Sequence, residues 1–203
     1  MELIKELPAL GRDLGPGLIL IGLTSLAAIL VGCLFEEWET LPWMATATVS
    51  LCGIGLLLRF LPKTSKVPRT STSIAATALV WVIVGLCGSL PFLFTGMSFL
   101  DAAFESMSAW TGTGFSIAED IESWPKTLLF WRSFMQWVGG LGIVAFTLTV
   151  ATRSGLITRG MYTSESGGQA FMPSVIATAF QMWKIYAVLT IAAVLAILLT
   201  GVG

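Results

Sequence analysis

Thr111, Gly112, Thr113 and Gly114 lie within a short polar, glycine-containing stretch, residues 104–116, set between two long apolar segments. Backbone at membrane depth must satisfy its own polar groups, so a non-helical segment survives there only when buried in protein or lining a watery path. The chemistry open to such a segment is coordination. Glycine accepts the positive φ of a sharply bent strand, and carbonyl oxygens on that strand can replace the hydration shell of an ion. On the loop alone, a pore loop and a re-entrant surface turn both fit.

Charged residues flank the stretch. Glu105 sits where charge is expensive and must be paired or near water. Arg132, about one turn into the next apolar segment, is its candidate partner. Two arrangements are open: the pair braces the loop, or Arg132 snorkels to headgroups while Glu105 binds backbone amides. Ser98 and Asp101 stand in capping-box relation and predict a short helix over Ala102–Trp110. Its carboxyl end points at Thr111, where aligned carbonyls favour a cation. Glu119, Asp120 and Glu122 either concentrate cations by their field or are solvated loop acids.

The elements that must hold these residues are membrane helices. Of 203 residues, 55% are hydrophobic and 11% charged, and there is no histidine; the mean hydropathy is +0.85. The reading is an all-α integral membrane protein with five transmembrane helices, one re-entrant pore helix and a filter loop. The spans are Gly17–Phe35, Trp43–Leu61, Ile74–Phe94, Leu128–Val150 and Ile185–Val202. Arg59, Lys63, Lys66 and Arg69 follow the second span, and Arg153 and Arg159 follow the fourth. The positive-inside rule places both loops, and the amino-terminus with Lys5 and Arg12, in the cytoplasm and the Gly203 end outside. Glu36, Glu37 and Glu39 then fall on the outer side. The mixed residues before the first span argue for a retained helix and against a cleaved signal.

Other residues have plainer expectations. Cys33, Cys52 and Cys87 lie in apolar runs as packing thiols. Gly139, Gly140 and Gly142 lack the preceding strand of a nucleotide loop; close helix packing or a gating hinge fits them. Lys184, in step with Thr178 and Gln181, reads as a snorkelling anchor. Trp38, Trp43, Trp124, Trp131 and Trp137 read as interfacial anchors. A net charge of −1 offers no basic surface for nucleic acid, and zinc and Cys-His sites lack ligands. Glu105, Asp101 and Arg132 supply no nucleophile with a positioned base, so the chain is not read as an enzyme.

Phe104–Gly114, read Phe-Glu-Ser-Met-Ser-Ala-Trp-Thr-Gly-Thr-Gly, resembles the first pore loop of the Trk/Ktr/HKT potassium transporters, especially the TrkH branch. Ser123–Ile143, containing Trp131-Arg132-Ser133-Phe134-Met135-Gln136-Trp137-Val138-Gly139-Gly140, resembles the helix that follows that loop. The topology matches as well: a two-helix hairpin over 1–70, a helix-pore loop-helix repeat over 71–152, and a cytoplasmic loop with the first helix of a second repeat over 153–203. The resemblance implies potassium uptake across the cytoplasmic membrane, with Thr111, Gly112, Thr113 and Gly114 supplying one quarter of a potassium filter. Ala109 and Gly112 depart from the glycine and threonine of many relatives.

The same resemblance implies four repeats around one pore. One repeat cannot enclose it, so the chain is expected to be the amino-terminal part of a longer transporter, or else one of several copies around an axis. It also implies a dimer in the complete form and a soluble nucleotide-binding regulatory subunit on the cytoplasmic side. The loop over Ala151–Pro173, with Ser154, Gly155, Thr158, Arg159, Glu165, Ser166, Gly167 and Gly168, is a connector or that subunit's contact. No cofactor is expected beyond potassium as substrate and lipid as surroundings. The alternative function is a non-conducting membrane module that binds or regulates a full-length transporter.

Overall fold

The first apolar segment folds as two nearly continuous helices, α1 (Glu2–Thr24) and α2 (Leu26–Leu34), interrupted at Ser25. The Ser25 hydroxyl lies 2.6 Å from the Gly22 carbonyl and 2.5 Å from Thr48 Oγ1. A serine bonded back onto the preceding turn competes with the helix ladder and bends it. After a tight turn α3 (Leu41–Arg59) returns. Arg12 meets Leu61, Gly22 meets Cys52 and Ser25 meets Thr48, a falling register that makes α1 and α3 antiparallel. Gly15 and Gly55 let the backbones touch: a Cβ on Gly15 would stand 2.6 Å from the Gly55 carbonyl oxygen. Between lipid-solvated helices such contact supplies packing that burial alone does not.

The computed structural model describes residues 2–61, 70–153 and 175–201. The other elements in it are α4 (Thr70–Ser89), a 3-10 segment (Leu90–Thr95), α5 (Phe99–Trp110), α6 (Lys126–Arg153) and α7 (Val175–Thr200). Pro91 opens the 3-10 segment, and Gly96, at φ 82°, ends it. Lys63, Lys66, Arg69 and Arg159, the connector residues from Ser154 to Gly168, and Gly203 lie outside the described residues.

Among the described residues, four helices are long and apolar enough to cross a membrane: Leu14–Leu34, Leu41–Arg59, Ile74–Thr95 and Phe180–Thr200. The expected Leu128–Val150 span falls within α6, whose 28 residues extend about 42 Å at 1.5 Å per residue. The chain divides into two units, Met1–Gly140 and Leu141–Gly203. In the second, α7 has no buried residue in its apolar window, and Lys184 is exposed.

Within the first unit, Leu18, Met44, Phe92, Trp110, Trp131 and Met135 are fully or almost fully buried. This corrects the reading of two tryptophans as interfacial anchors. Trp131 is wholly buried, and its indole N–H donates to the Gly88 carbonyl at 3.0 Å. Trp124 is 8% exposed and packs on the Phe92 ring at 5.5 Å. α5 supplies a protein interior at this point, with Trp110 edge-on to Trp131. Trp38 and Trp43 are exposed, as an interfacial place requires.

The start of α6 is capped from far away in the chain. Glu37, between α2 and α3, accepts the backbone N–H of Lys126 at 2.7 Å and of Thr127 at 2.8 Å, and the Thr127 hydroxyl at 2.6 Å. It thereby satisfies donors that every helix start leaves open. Burial would raise the Glu37 carboxyl, but the Thr127 hydroxyl, the two backbone N–H groups and the Lys126 charge outweigh it and hold it below the ordinary carboxylate range.

Candidate cation filter and its supports

Ser98 caps α5 as its spacing predicts. Its hydroxyl oxygen accepts the Asp101 N–H at 3.2 Å, and its proton goes to Asp101 Oδ2 at 2.7 Å. The helix then runs to Trp110, and the chain folds back over its carboxyl end with Gly112 at φ 71° and Gly114 at φ 74°.

The direction of the backbone decides what this turn offers. The N–H of Gly112 donates to the Ala109 carbonyl at 3.0 Å, and the N–H groups of Thr113 and Gly114 both donate to the Ser108 carbonyl at 3.1 and 3.3 Å. In a planar trans peptide the carbonyl points opposite to the N–H of the next residue. Thr111, Gly112 and Thr113 therefore turn their carbonyl oxygens away from the helix end. The hydroxyls turn inward: Thr111 donates to the Met107 carbonyl at 2.7 Å and Thr113 to the Ser108 carbonyl at 3.1 Å.

Gly114 differs from the other three. Its carbonyl accepts from Arg132 Nη2 at 3.2 Å, and the Phe115 carbonyl accepts from the same nitrogen at 3.3 Å. Arg132 Nε meanwhile donates to Glu105 Oε2 at 3.0 Å, with Glu105 wholly buried and the Arg132 side chain 13% exposed. The other carboxylate oxygen, Oε1, accepts the Ile117 N–H at 2.7 Å and the Ser116 hydroxyl. Of the two arrangements open for this pair, Arg132 is turned to Glu105 and the loop and not to headgroups, while Glu105 also accepts a backbone amide. A buried carboxylate with all these donors is compensated in the way burial demands.

Sequence reasoning missed three supports. Ser108, three residues after Glu105 and buried, donates its hydroxyl to the Phe115 carbonyl at 2.6 Å and meets Thr113 Oγ1 at 3.1 Å. Ser116 completes the Glu105 shell. Gln136 stands behind Gly114, where an added Cβ would lie 3.0 Å from its Nε2. The spacing of Glu105, Ser108 and Trp110 on a short helix, and of Arg132 and Gln136 on α6, was the available signal.

The mid-helix glycines of α6 separate. A Cβ on Gly139 would collide with the Trp110 carbonyl, so this residue lets α6 lie directly against the end of α5. Gly140 faces the loop, its Cα 3.9 Å from where a Gly112 Cβ would be. Gly142 continues α6 on the far side of the unit boundary. Trp110 is held by edge contact with Trp131 at 6.2 Å, and its indole N–H has no partner among the described residues. Glu119, Asp120 and Glu122 are exposed, and Asp120 bonds locally to Ser123.

The arrangement offers three outward carbonyls on a strand held from behind by an ion pair and a serine, and carbonyl oxygens of this kind can take the place of water around a cation. Residues 43–201 match the sequence profile of the family described as TrkH, cation transport protein. The chain is 35% identical to an uncharacterised cation transporter of Methanocaldococcus jannaschii, over 98% of this chain and 42% of that protein. It is 34% identical to the Trk system potassium uptake protein TrkH of Halomonas elongata, over 95% and 41%. The crystal structure of the potassium transporter TrkH from Vibrio parahaemolyticus superposes with a TM-score of 0.80 at 31% identity, covering 97% of this chain and 40% of that one. The chain spans about two fifths of the length of the curated relatives it matches. These relatives are ion transporters and not enzymes, and with the four apolar helices they make this a multi-pass membrane protein. The chain belongs to the TrkH family of cation transport proteins.

Proposed function

We propose that the chain is the amino-terminal portion of a potassium uptake protein, with Thr111, Gly112, Thr113 and Gly114 forming one quarter of its filter. The observation carrying this reading is the run of three carbonyls, Thr111 to Thr113, turned away from the end of α5 by the N–H bonds of the three following residues. A potassium ion exchanges water for these oxygens, while the Gly114 carbonyl, committed to Arg132, fixes the strand. The inside-negative potential favours entry by about 2.3 kcal/mol per charge per 100 mV.

In this reading α6 is the fifth crossing, the amino-terminus is cytoplasmic and the Gly203 end external. The hairpin, first repeat and opening of the second follow the 1–70, 71–152 and 153–203 divisions. Three further quarters come from downstream sequence, or from further copies of the chain. A dimeric complete form and a cytoplasmic nucleotide-binding regulatory subunit belong to the same proposal. The Gly139 contact favours close packing over a hinge.

The test is potassium uptake in cells lacking their own uptake systems, with membrane insertion verified. The chain alone, its Gly114→Asp variant and the full downstream reading frame are compared. Uptake by the longer frame that Gly114→Asp abolishes supports the proposal; uptake by the chain alone points to self-assembly. An effect of the chain on a co-expressed transporter that is indifferent to Gly114→Asp establishes the non-conducting module instead.

A further inference from the structure

Three features converge on one contact outside the filter. The Glu37 carboxylate takes the N–H groups of Lys126 and Thr127 and the Thr127 hydroxyl at the start of α6, from 89 and 90 residues away in the chain. The turn that carries it includes Glu36 at φ 59°, a region that non-glycine residues seldom adopt. Gly32 makes room for the docked residue: a Cβ there would stand 2.7 Å from Thr127 Oγ1. A strained turn, a cleared seat and a fully used carboxylate together indicate a contact held to a fixed geometry.

The same helix reaches the filter loop within two turns. Five residues after Thr127, Arg132 holds the Gly114 and Phe115 carbonyls and Glu105. Between them Leu128 and Trp131 are wholly buried, so this part of α6 is packed as one body. We propose that Glu37 is a positioning residue for the filter: the turn between α2 and α3 sets the height and rotation of α6, and thereby where Arg132 meets Gly114. The amino-terminal hairpin then acts as an external strut for the pore repeat. The consequence for transport rests on the function proposed above; the consequence for the loop's order does not.

The test uses the full-length protein in lipid vesicles, unaltered and as Glu37→Gln, Thr127→Val and Thr127→Ser. Hydrogen exchange is followed over residues 113–117 and 126–132, and sodium, potassium and rubidium uptake are compared. A glutamine can accept through one oxygen, but its amide turns donors toward donors. The expected result is several-fold faster exchange over both segments in Glu37→Gln, with a raised sodium-to-potassium uptake ratio. Thr127→Val should show a smaller change in the same direction and Thr127→Ser the native values.

Faster exchange confined to 126–132, or a lower uptake at unchanged ratio, overturns the proposal and leaves Glu37 a helix cap. Should Glu37→Gln fail to insert, the two Thr127 variants decide the matter. If the unaltered protein moves no monovalent cation, the transport reading falls, and exchange over 113–117 still decides whether Glu37 orders the loop.

Discussion

Arg132 and Gly114 meet across 3.2 Å, guanidinium nitrogen to backbone carbonyl, while the same guanidinium holds Glu105 at 3.0 Å. One planar cation thus joins α5, the loop and α6. Removing one partner of a buried pair strands the other, at a cost of about 3–5 kcal/mol. Arg132→Gln and Glu105→Gln should each cause severe loss of folded protein, measured by thermal unfolding in detergent. Arg132→Lys should rescue only part of it, because a single ammonium cannot serve both the carboxylate and the carbonyls. If the charge-swapped double variant recovers assembly, the pair acts as a brace; a double variant worse than either single one removes that role.

Gly139→Ala should abolish assembly or uptake, since its methyl would meet the Trp110 backbone, which cannot swing aside. Gly53→Ala is the control on α3: nothing lies within 4 Å of its added carbon. It should be neutral or stabilising by about 0.5–1 kcal/mol through helix propensity. Melting temperatures of the two variants, measured side by side, check the contrast.

Ser108→Ala deletes the donor to the Phe115 carbonyl and one contact to Thr113. The stability loss should be modest, about 1 kcal/mol for a hydrogen bond of this kind. The larger change should appear in discrimination among potassium, rubidium and sodium, read from competitive uptake. Unchanged discrimination would make Ser108 a packing residue only.

Acid should weaken the Glu37 cap. Because this carboxyl is held below its ordinary value of 4.5 in the folded protein, its contribution is complete above that value and is lost as pH falls through the depressed one. Unfolding temperature measured from neutral pH downward should therefore fall less steeply in Glu37→Gln than in the unaltered protein. Identical slopes would exclude the contribution.

Much of this was legible because local chemistry fixed it. Ser98 and Asp101 announce the start of α5, and Gly112 and Gly114 announce two positive-φ positions, because cap and backbone preferences act over a few residues. The Glu37–Thr127 contact was not legible, since nothing in the acidic turn distinguishes a capping glutamate from its neighbours Glu36 and Glu39. Trp131 misled for a related reason: a tryptophan near a span boundary has the same composition signal whether it faces headgroups or a neighbouring helix. The bond from Arg132 to the Gly114 carbonyl was not legible either, because charge matches Arg132 to Glu105 but no sequence rule matches it to a carbonyl.

The seat of Gly139 on the Trp110 carbonyl also has a mechanical reading. A contact with no room for a methyl group works as a keyed fit: any side chain at position 139 would push α6 off the end of α5. The same last turn of α5 supplies the Met107, Ser108 and Ala109 carbonyls that hold Thr111 to Gly114. The fit of the two helices and the shape of the loop thus rest on one turn of backbone.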